Sequence, residues 1–289
     1  MDRSRFSLMT FPMDIDLLKR TMSIRDIFEL AKQAGIPNVD VMNVRQKQLP
    51  QYLEAMKETG VQVYTYITQI RFLGRDRRRD KTILDALKMA KLLNASYLMI
   101  VPYGFPDGYR AEKMGREQIK RRMIEGFQKA VELGIQNGIR ICFETTPHDA
   151  SCLSGTQDCL DILNAVDGLE FVFDTANMLP HGDDPIEAYE ALRGRISHVH
   201  LKDVALEQVA KVSKYSEHTH NGKLMRCVVW GEGIIPVNEL YCRMISDGYM
   251  GKFAIEYVHP KGRGDPTAHS SQIERFLKYT DMISPSGRQ

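Results

Sequence analysis

The sequence predicts an α/β protein, a closed (β/α)8 barrel built as a single domain over residues 1–289, with a hairpin inserted after the seventh strand. Three observations support this. Seven times a helix-like segment stops at a glycine or an asparagine, and a compact apolar run follows within a few residues. With the opening run "RFSLMTF" this makes eight candidate strands, each followed by a candidate helix. Neither GxGxxG after the first strand nor GxxxxGK[ST] anywhere occurs, so the signatures of an open nucleotide-binding sheet are missing.

The elements follow in order. After "RFSLMTF", Ser23 with Asp26 three residues on signals a helix start, and Gly35 stops that helix before "NVDVMNV". Pro50 sits near the first turn of the next helix, which Gly60 closes ahead of "VQVYTYI". In "KTILDALKMAKLL" the stripe Ile83, Leu87 and Ala90 is core packing, and Asn94 serves as the stop before "SYLMIV". The stripe Ile119, Met123, Phe127, Ala130 and Val131 repeats the pattern, with Gly138 leading into "IRICFE". Gly168 precedes "LEFVFD", Pro185 opens another helix, Gly194 precedes "ISHVHLKD", and Gly248 precedes "KFAIE". Asp265 before Pro266 starts the last helix. Between Val204 and Gly233 the connection is too long for a plain loop, and Asn221-Gly222 between alternating residues signals a type I′ hairpin lying over the barrel mouth. The arginines of "QIRFLGRDRRRDK", namely 71, 75, 77, 78 and 79, read as solvated surface ahead of a phosphate site.

Bulk properties narrow the partners. Net charge is +2, with 43% hydrophobic and 26% charged residues, so there is no strong basic field for nucleic acid. Five cysteines form no CxxC pair, which suggests reduced thiols and a cytoplasmic location. The N-terminus lacks the apolar core of a secretory signal, and no stretch approaches the roughly 20 apolar residues of a membrane span, so no membrane partner is expected.

The chemistry sits in the last four strands. Successive strand side chains face opposite ways, so Glu144 shares a face with Cys142, Asp174 with Val172, His200 with His198, and Glu256 with Ala254. Larger apolar residues take the other face, toward the helices. The last inward position is therefore Glu144, Asp174, His200 or Glu256, at the C-terminal rim where barrels build their sites. A lone carboxylate at a strand end is most often a cap or salt-bridge partner, and a lone histidine is most often structural. Four in matching register point instead to a divalent cation, because like charges in a poorly hydrated space destabilise one another. One nitrogen and several oxygens suit a fairly hard ion: Mn²⁺ leads, with Mg²⁺, Co²⁺ or Zn²⁺ as alternatives. His198, one layer deeper, reads as either a hydrogen-bonding support for a ligand or a core residue, while His181, His218 and His220 default to loops.

The motifs "ICFE", "FVFDTAN", "HVHLKD", "WGEG" and "GYMGKFAIEYV" resemble those of the xylose isomerase-like TIM barrel superfamily, the sugar phosphate isomerase/epimerase family. The resemblance covers most of the chain and is concentrated between residues 139 and 258. It implies that Glu144, Asp174, His200 and Glu256 hold the metal and that Glu144 and Glu256 are catalytic, exchanging protons with substrate. The implied activity is a metal-dependent isomerase or epimerase acting on a small sugar, keto-polyol or sugar phosphate through α-proton abstraction and a metal-stabilised enediolate. A dehydratase or lyase on the same scaffold, resembling inosose dehydratase, is the alternative, and an apurinic endonuclease-like hydrolase ranks below both. Lys202, Asn177 and His148 are the candidate substrate-binding residues, with a salt bridge to a neighbouring carboxylate as the other reading of Lys202. Two departures count against a free-ketose epimerase: Asn177 stands where several epimerases carry histidine, and no arginine follows closely after His200 unless Arg226 substitutes. Family members are often homo-oligomers, which the resemblance extends to this chain.

Overall fold

Strands whose large apolar side chains all face one way must bury them under a helical layer, and here the sheet closes on itself to do so. The computed structural model describes residues 2–101, 114–145, 155–207, 218–220, 223–257 and 266–283. Strand β1 (Phe6–Met9) is followed by helices α1 (Asp14–Lys19) and α2 (Ile24–Gln33), then β2 (Asn38–Met42), α3 (Leu49–Thr59), β3 (Gln62–Gln69), α4 (Asp76–Leu92) and β4 (Tyr97–Val101). The chain continues through α5 (Arg116–Asn137), β5 (Arg140–Glu144), α6 (Thr156–Ala165), β6 (Glu170–Asp174), α7 (Pro185–Leu192) and β7 (Ile196–Leu201). Three further strands, β8 (Asp203–Glu207), β9 (His218–His220) and β10 (Lys223–Val228), precede α8 (Val237–Ser246), β11 (Lys252–Ile255) and α9 (Pro266–Ile283).

The eight barrel strands lie in the order β1, β11, β7, β6, β5, β4, β3, β2 and close into a ring of parallel pairs. Local signals act as expected. Ser23 and Asp26 form a reciprocal capping box at α2, with the Asp26 N–H donating to Ser23 Oγ at 3.2 Å and the Ser23 N–H donating to Asp26 Oδ2 at 2.7 Å. Gly35, Gly60, Gly138, Gly168, Gly248 and Asn94 all take positive φ at helix ends. Gly194 does not: it lies inside a 3-10 turn, Arg193–Arg195, that tightens the end of α7 and delivers the chain straight into β7. One arginine after β3 also departs from expectation. Arg79 is buried on α4, not solvated, because its Nε donates to Asp80 Oδ1 at 2.9 Å and its Nη1 lies 3.4 Å from Asp76.

Alternation divides the core as expected. Phe143, Phe171, Phe173 and Phe253 face the helices, with Phe143 4.8 Å from Phe127 and 5.1 Å from Phe171 between ring centroids. Met9, Ile67, Tyr97, Met99, Val101, Cys142 and Val172 form a separate cluster inside the barrel. The insertion after β7 is larger than a hairpin. Strands β9 and β10 pair antiparallel, and β8, running on from β7, pairs along the other edge of β10 to give a three-stranded sheet. The Asn221-Gly222 turn itself lies outside the described residues. Among those described, no helix is long and apolar enough to cross a membrane.

One glycine is set by contact and not by φ. A Cβ on Gly134, in the last turns of α5, would stand 2.7 Å from the carbonyl oxygen of Ile139 and 2.7 Å from Ile141 Cγ1, where α5 turns down into β5. Gly134→Ala gains about 1 kcal/mol of helix propensity but overpacks a backbone oxygen that cannot swing aside, at a cost of about 1–3 kcal/mol. The expected outcome is a lower Tm by thermal denaturation, opposite in sign to the usual effect of alanine in a helix.

Candidate metal centre

Glu144 and Asp174 are the last residues of β5 and β6, His200 is the last but one of β7, and Glu256 directly follows β11. Register brings them level. Asp174 pairs with His200 across β6 and β7, and Ala254 pairs with His200 across β7 and β11, so the next inward position on β11 is Glu256. One donor atom from each of the four lies within 4.8 Å of the others. His200 is fully buried, Asp174 and Glu144 are 2% and 7% exposed, and the Glu256 side chain is 12% exposed. His200 Nδ1 lies 2.6 Å from Glu144 Oε1 and 3.4 Å from Glu256 Oε2.

Glu144 Oε1 meets only the His200 ring and Asp174 Oδ2 the Lys202 ammonium at 2.9 Å, while His200 Nε2 is buried with no hydrogen-bond partner among the described residues. Several carboxylate oxygens and an imidazole crowding one buried volume fit a shared cation, since their polar atoms cannot all be satisfied by one another and each one left without a partner costs about 1–3 kcal/mol. Electrostatics agree. Burial, with Asp174 and Glu256 close by, pushes the Glu144 carboxyl up, although His200 opposes this. Burial pushes Asp174 up too, against the pull of Lys202. For Glu256 burial acts upward, but Lys202 and His200 outweigh it and bring the carboxyl down to about 2. Burial alone would depress the His200 imidazole, and the Glu144 and Glu256 carboxylates hold it well above its ordinary range. Three carboxylates and one imidazole supply an oxygen-rich, cysteine-free donor set, which suits a divalent cation.

Lys202 enters the same space. Its ammonium donates to Asn177 Oδ1 at 2.8 Å and lies 2.9 Å from Asp174 Oδ2 and 3.2 Å from Glu256 Oε1. Burial pulls the ammonium down, but Asp174 and Glu256 reverse this and keep it charged. Asn177 acts as a bracket: its Nδ2 donates to the Thr145 carbonyl at 2.8 Å, while its backbone N–H donates to Asp174 Oδ1 at 3.0 Å. The sequence paired neither residue with the other. Arg226 does not substitute for the missing epimerase arginine, because it sits on β10 and pairs with exposed Glu207 at 2.6 Å. His148 lies outside the described residues, and His218 and His220 fall on β9, not in a loop. His198 occupies the layer below, its Nε2 2.8 Å from Asp40 Oδ2.

Two residues that sequence reasoning passed over hold the rim in place. Thr175 Oγ1 donates to the Lys202 carbonyl at 2.6 Å and accepts from the Lys202 N–H at 2.9 Å, locking the ends of β6 and β7. Asp203, 1% exposed, accepts from the backbone N–H groups of Val204, Gly231, Gly233 and Ile235 at 2.9 to 3.1 Å. That carboxylate folds the "WGEG" segment, and a Cβ on Gly233 would collide with it. Trp230 then packs on Phe276 of α9, ring centroids 4.2 Å apart.

The family model described as xylose isomerase-like TIM barrel matches residues 26–279. The chain belongs to the xylose isomerase-like TIM barrel family. Among relatives, inosose dehydratase 2 of Bacillus cereus is 22% identical over 168 residues, covering 56% of this chain and 55% of that protein. The inosose dehydratase of Lacticaseibacillus casei is 22% identical over 169 residues, covering 57% and 56%. The chain thus spans about half the length of the curated relatives it matches. Among solved structures, the IolI protein with a bound zinc atom superposes with a TM-score of 0.75 at 15% identity, covering 96% of this chain and 97% of that one. The probable 3-DHS dehydratase AsbF of Bacillus anthracis gives 0.72 at 16% identity, covering 94% and 98%. D-psicose 3-epimerase of Clostridium cellulolyticum H10, solved with D-tagatose, gives 0.72 at 13%, covering 96% and 99%. At these identities the likeness is one of fold, and this family's enzymes include both dehydratases and epimerases.

Two measurements follow. Mn²⁺ at about 100 times its dissociation constant should stabilise the protein by about 2.7 kcal/mol through linkage, seen as a rise in Tm that EDTA reverses and that His200→Ala abolishes. Asp203→Ala strips one acceptor from several buried N–H groups; Tm should fall by an amount equivalent to about 2 kcal/mol or more, with Mn²⁺ still bound.

Proposed function

We propose that this chain is a divalent-metal-dependent enzyme that removes a proton next to the carbonyl of a small polyhydroxylated ketone, and that its reaction ends in loss of water. The observation that carries the elimination is Lys202, a buried ammonium fixed by Asn177 beside Asp174 and Glu256. Glu144, Asp174, His200 and Glu256 are the proposed ligands, and Mn²⁺ is the proposed ion, with Mg²⁺, Co²⁺ or Zn²⁺ as alternatives. When bound, such an ion polarises a carbonyl and makes the adjacent proton easier to remove.

The chain's own residues do the rest. Along the arc β5, β6, β7, β11, Glu144 and Glu256 stand at the two ends with Asp174 and His200 between them. A substrate seated over His200 reaches both glutamates, so one carboxylate takes the proton while the other faces a different carbon. The Lys202 ammonium, exchanging one of its carboxylate contacts for a substrate oxygen, donates to a departing hydroxyl and offsets its developing charge. The names of the matching relatives, inosose dehydratase and probable 3-DHS dehydratase, support a cyclic, hydroxyl-rich ketone as substrate. Isomerisation or epimerisation, the reading that the motifs favour, is the second reading. What favours it is the approach of both glutamates to one imidazole nitrogen, an arrangement that can return the proton as readily as remove it.

The test is a panel of cyclic and open-chain polyhydroxy ketones, with and without phosphate, incubated in D₂O with Mn²⁺-loaded protein. An unsaturated product identifies elimination; deuterium in a recovered or inverted substrate identifies proton return. Glu144→Gln and Glu256→Gln should each lower exchange by about 10²- to 10⁴-fold while leaving the circular dichroism unchanged. Undiminished exchange in both variants would overturn the assignment.

A further inference from the structure

A buried polar pair below the centre has no part in the chemistry above. Asp40 in the middle of β2 and His198 in the middle of β7 are both fully buried, at inward positions that barrels normally fill with branched aliphatic residues. Their strands are not neighbours, since β11 and β1 lie between them, so the contact crosses the barrel interior. His198 is fixed at both nitrogens. The Lys252 carbonyl, 2.9 Å from Nδ1, can only accept, so Nδ1 carries a hydrogen, and Nε2 is 2.8 Å from Asp40 Oδ2. Tyr64 closes one side of the ring, its centroid 5.2 Å away.

His200 presents the opposite case. A metal-binding imidazole ordinarily donates its second N–H to a carboxylate, a carbonyl or water, which sets the ring's orientation. The His200 Nε2 is buried and finds no such partner among the described residues. What meets the ring instead is His198, at 5.2 Å between centroids with the planes 90° apart, and one donor atom each from Asp40, His198 and His200 lies within 4.8 Å of the others.

We propose that Asp40 and His198 are positioning residues, a hydrogen-bonded pair locked across the barrel whose rigid imidazole holds the His200 ring edge to face and aims its Nδ1 at the ion. The inference rests on the reading that His200 is a metal ligand. It assigns the pair to orientation, in place of the packing role that an interior position suggests.

Mn²⁺ titrated calorimetrically into the whole chain, and Co²⁺ absorption on the same samples, test it. Wild-type protein should bind Mn²⁺ saturably; if it does not, the metal reading itself fails, before any variant is compared. Asp40→Asn and His198→Gln should each weaken Mn²⁺ binding by about 10- to 100-fold and shift the Co²⁺ ligand-field bands. Val172→Ala is the control, since Val172 pairs with His198 in register and its truncation opens the same interior layer without removing a hydrogen bond. That variant should lower Tm with Mn²⁺ affinity and Co²⁺ spectrum unchanged. Should Asp40→Asn fail to fold, His198→Gln reads the same contact from its other side. Wild-type affinity in both pair variants, or an equal loss in Val172→Ala, would overturn the positioning role while leaving the metal reading intact.

Discussion

Like charges in a poorly hydrated space must share a counter-charge, and this constraint organises the upper half of the barrel. Three carboxylates and an imidazole occupy one volume at the rim, and the groups around them exist to make that tolerable. Lys202 supplies a fixed positive charge from within the chain, yet three carboxylates against one ammonium leave net negative charge and several polar atoms without hydrogen bonds among the described residues. A divalent ion supplies what one ammonium cannot. Replacing Glu144, whose carboxyl is pushed up by burial and its acidic neighbours, relieves part of that repulsion, whereas removing Glu256, held low by Lys202 and His200, leaves buried positive charge without its partner.

Holding that cluster in register demands unusual care in the strand ends, which elsewhere in a protein fray. Thr175 ties β6 to β7 through both the N–H and the carbonyl of Lys202. Asn177 ties Asp174, Thr145 and Lys202 together, bridging the ends of β5, β6 and β7. Asp203 converts a glycine-rich segment into a fixed turn by accepting several backbone N–H groups at once, and Trp230 anchors that turn to α9. Each is a hydrogen-bonding or packing device close to a proposed ligand, where loss of order would open the donor set.

The period-two rule made the barrel and its four rim donors legible in the sequence, because alternation is local: Glu144 must share a face with Cys142, whatever lies elsewhere. Glycine stops were legible for the same reason, and Gly194 escaped because a 3-10 turn needs no left-handed residue. The rest depended on closure. His198 reads as lying one layer below the rim, but nothing along the chain pairs it with Asp40, 158 residues away, until the ring brings them to 2.8 Å. Asn177 read as a substrate contact, and Lys202 as either a substrate contact or a carboxylate partner, because nothing along the chain states that one holds the other. The insertion read as a hairpin since only the Asn-Gly signal is local, whereas the pairing of β8 with β10 is made across a long excursion.

At the level of the rim the barrel's ionic groups gather on one arc. On the arc β5, β6, β7, β11 the inward positions near the rim are Glu144, Asp174, His200, Lys202 and Glu256. On β1, β3 and β4, which complete the ring with β2, stand Met9, Ile67, Met99 and Val101, in a buried apolar cluster that continues beneath the arc through Cys142 and Val172. A substrate placed between the two arcs meets donors and charge on one side and aliphatic surface on the other. The charged groups are themselves buried, and in that lower dielectric each contact from Lys202 or a carboxylate acts more strongly than it does in solvent. Under the proposed reading the same asymmetry would orient a polyhydroxylated ketone, because a hydroxyl-rich edge turned toward Met99 and Val101 loses its hydrogen bonds. For that ketone, selectivity would depend on which carbons it can expose to the polar arc while presenting its least hydrated face to the apolar side chains.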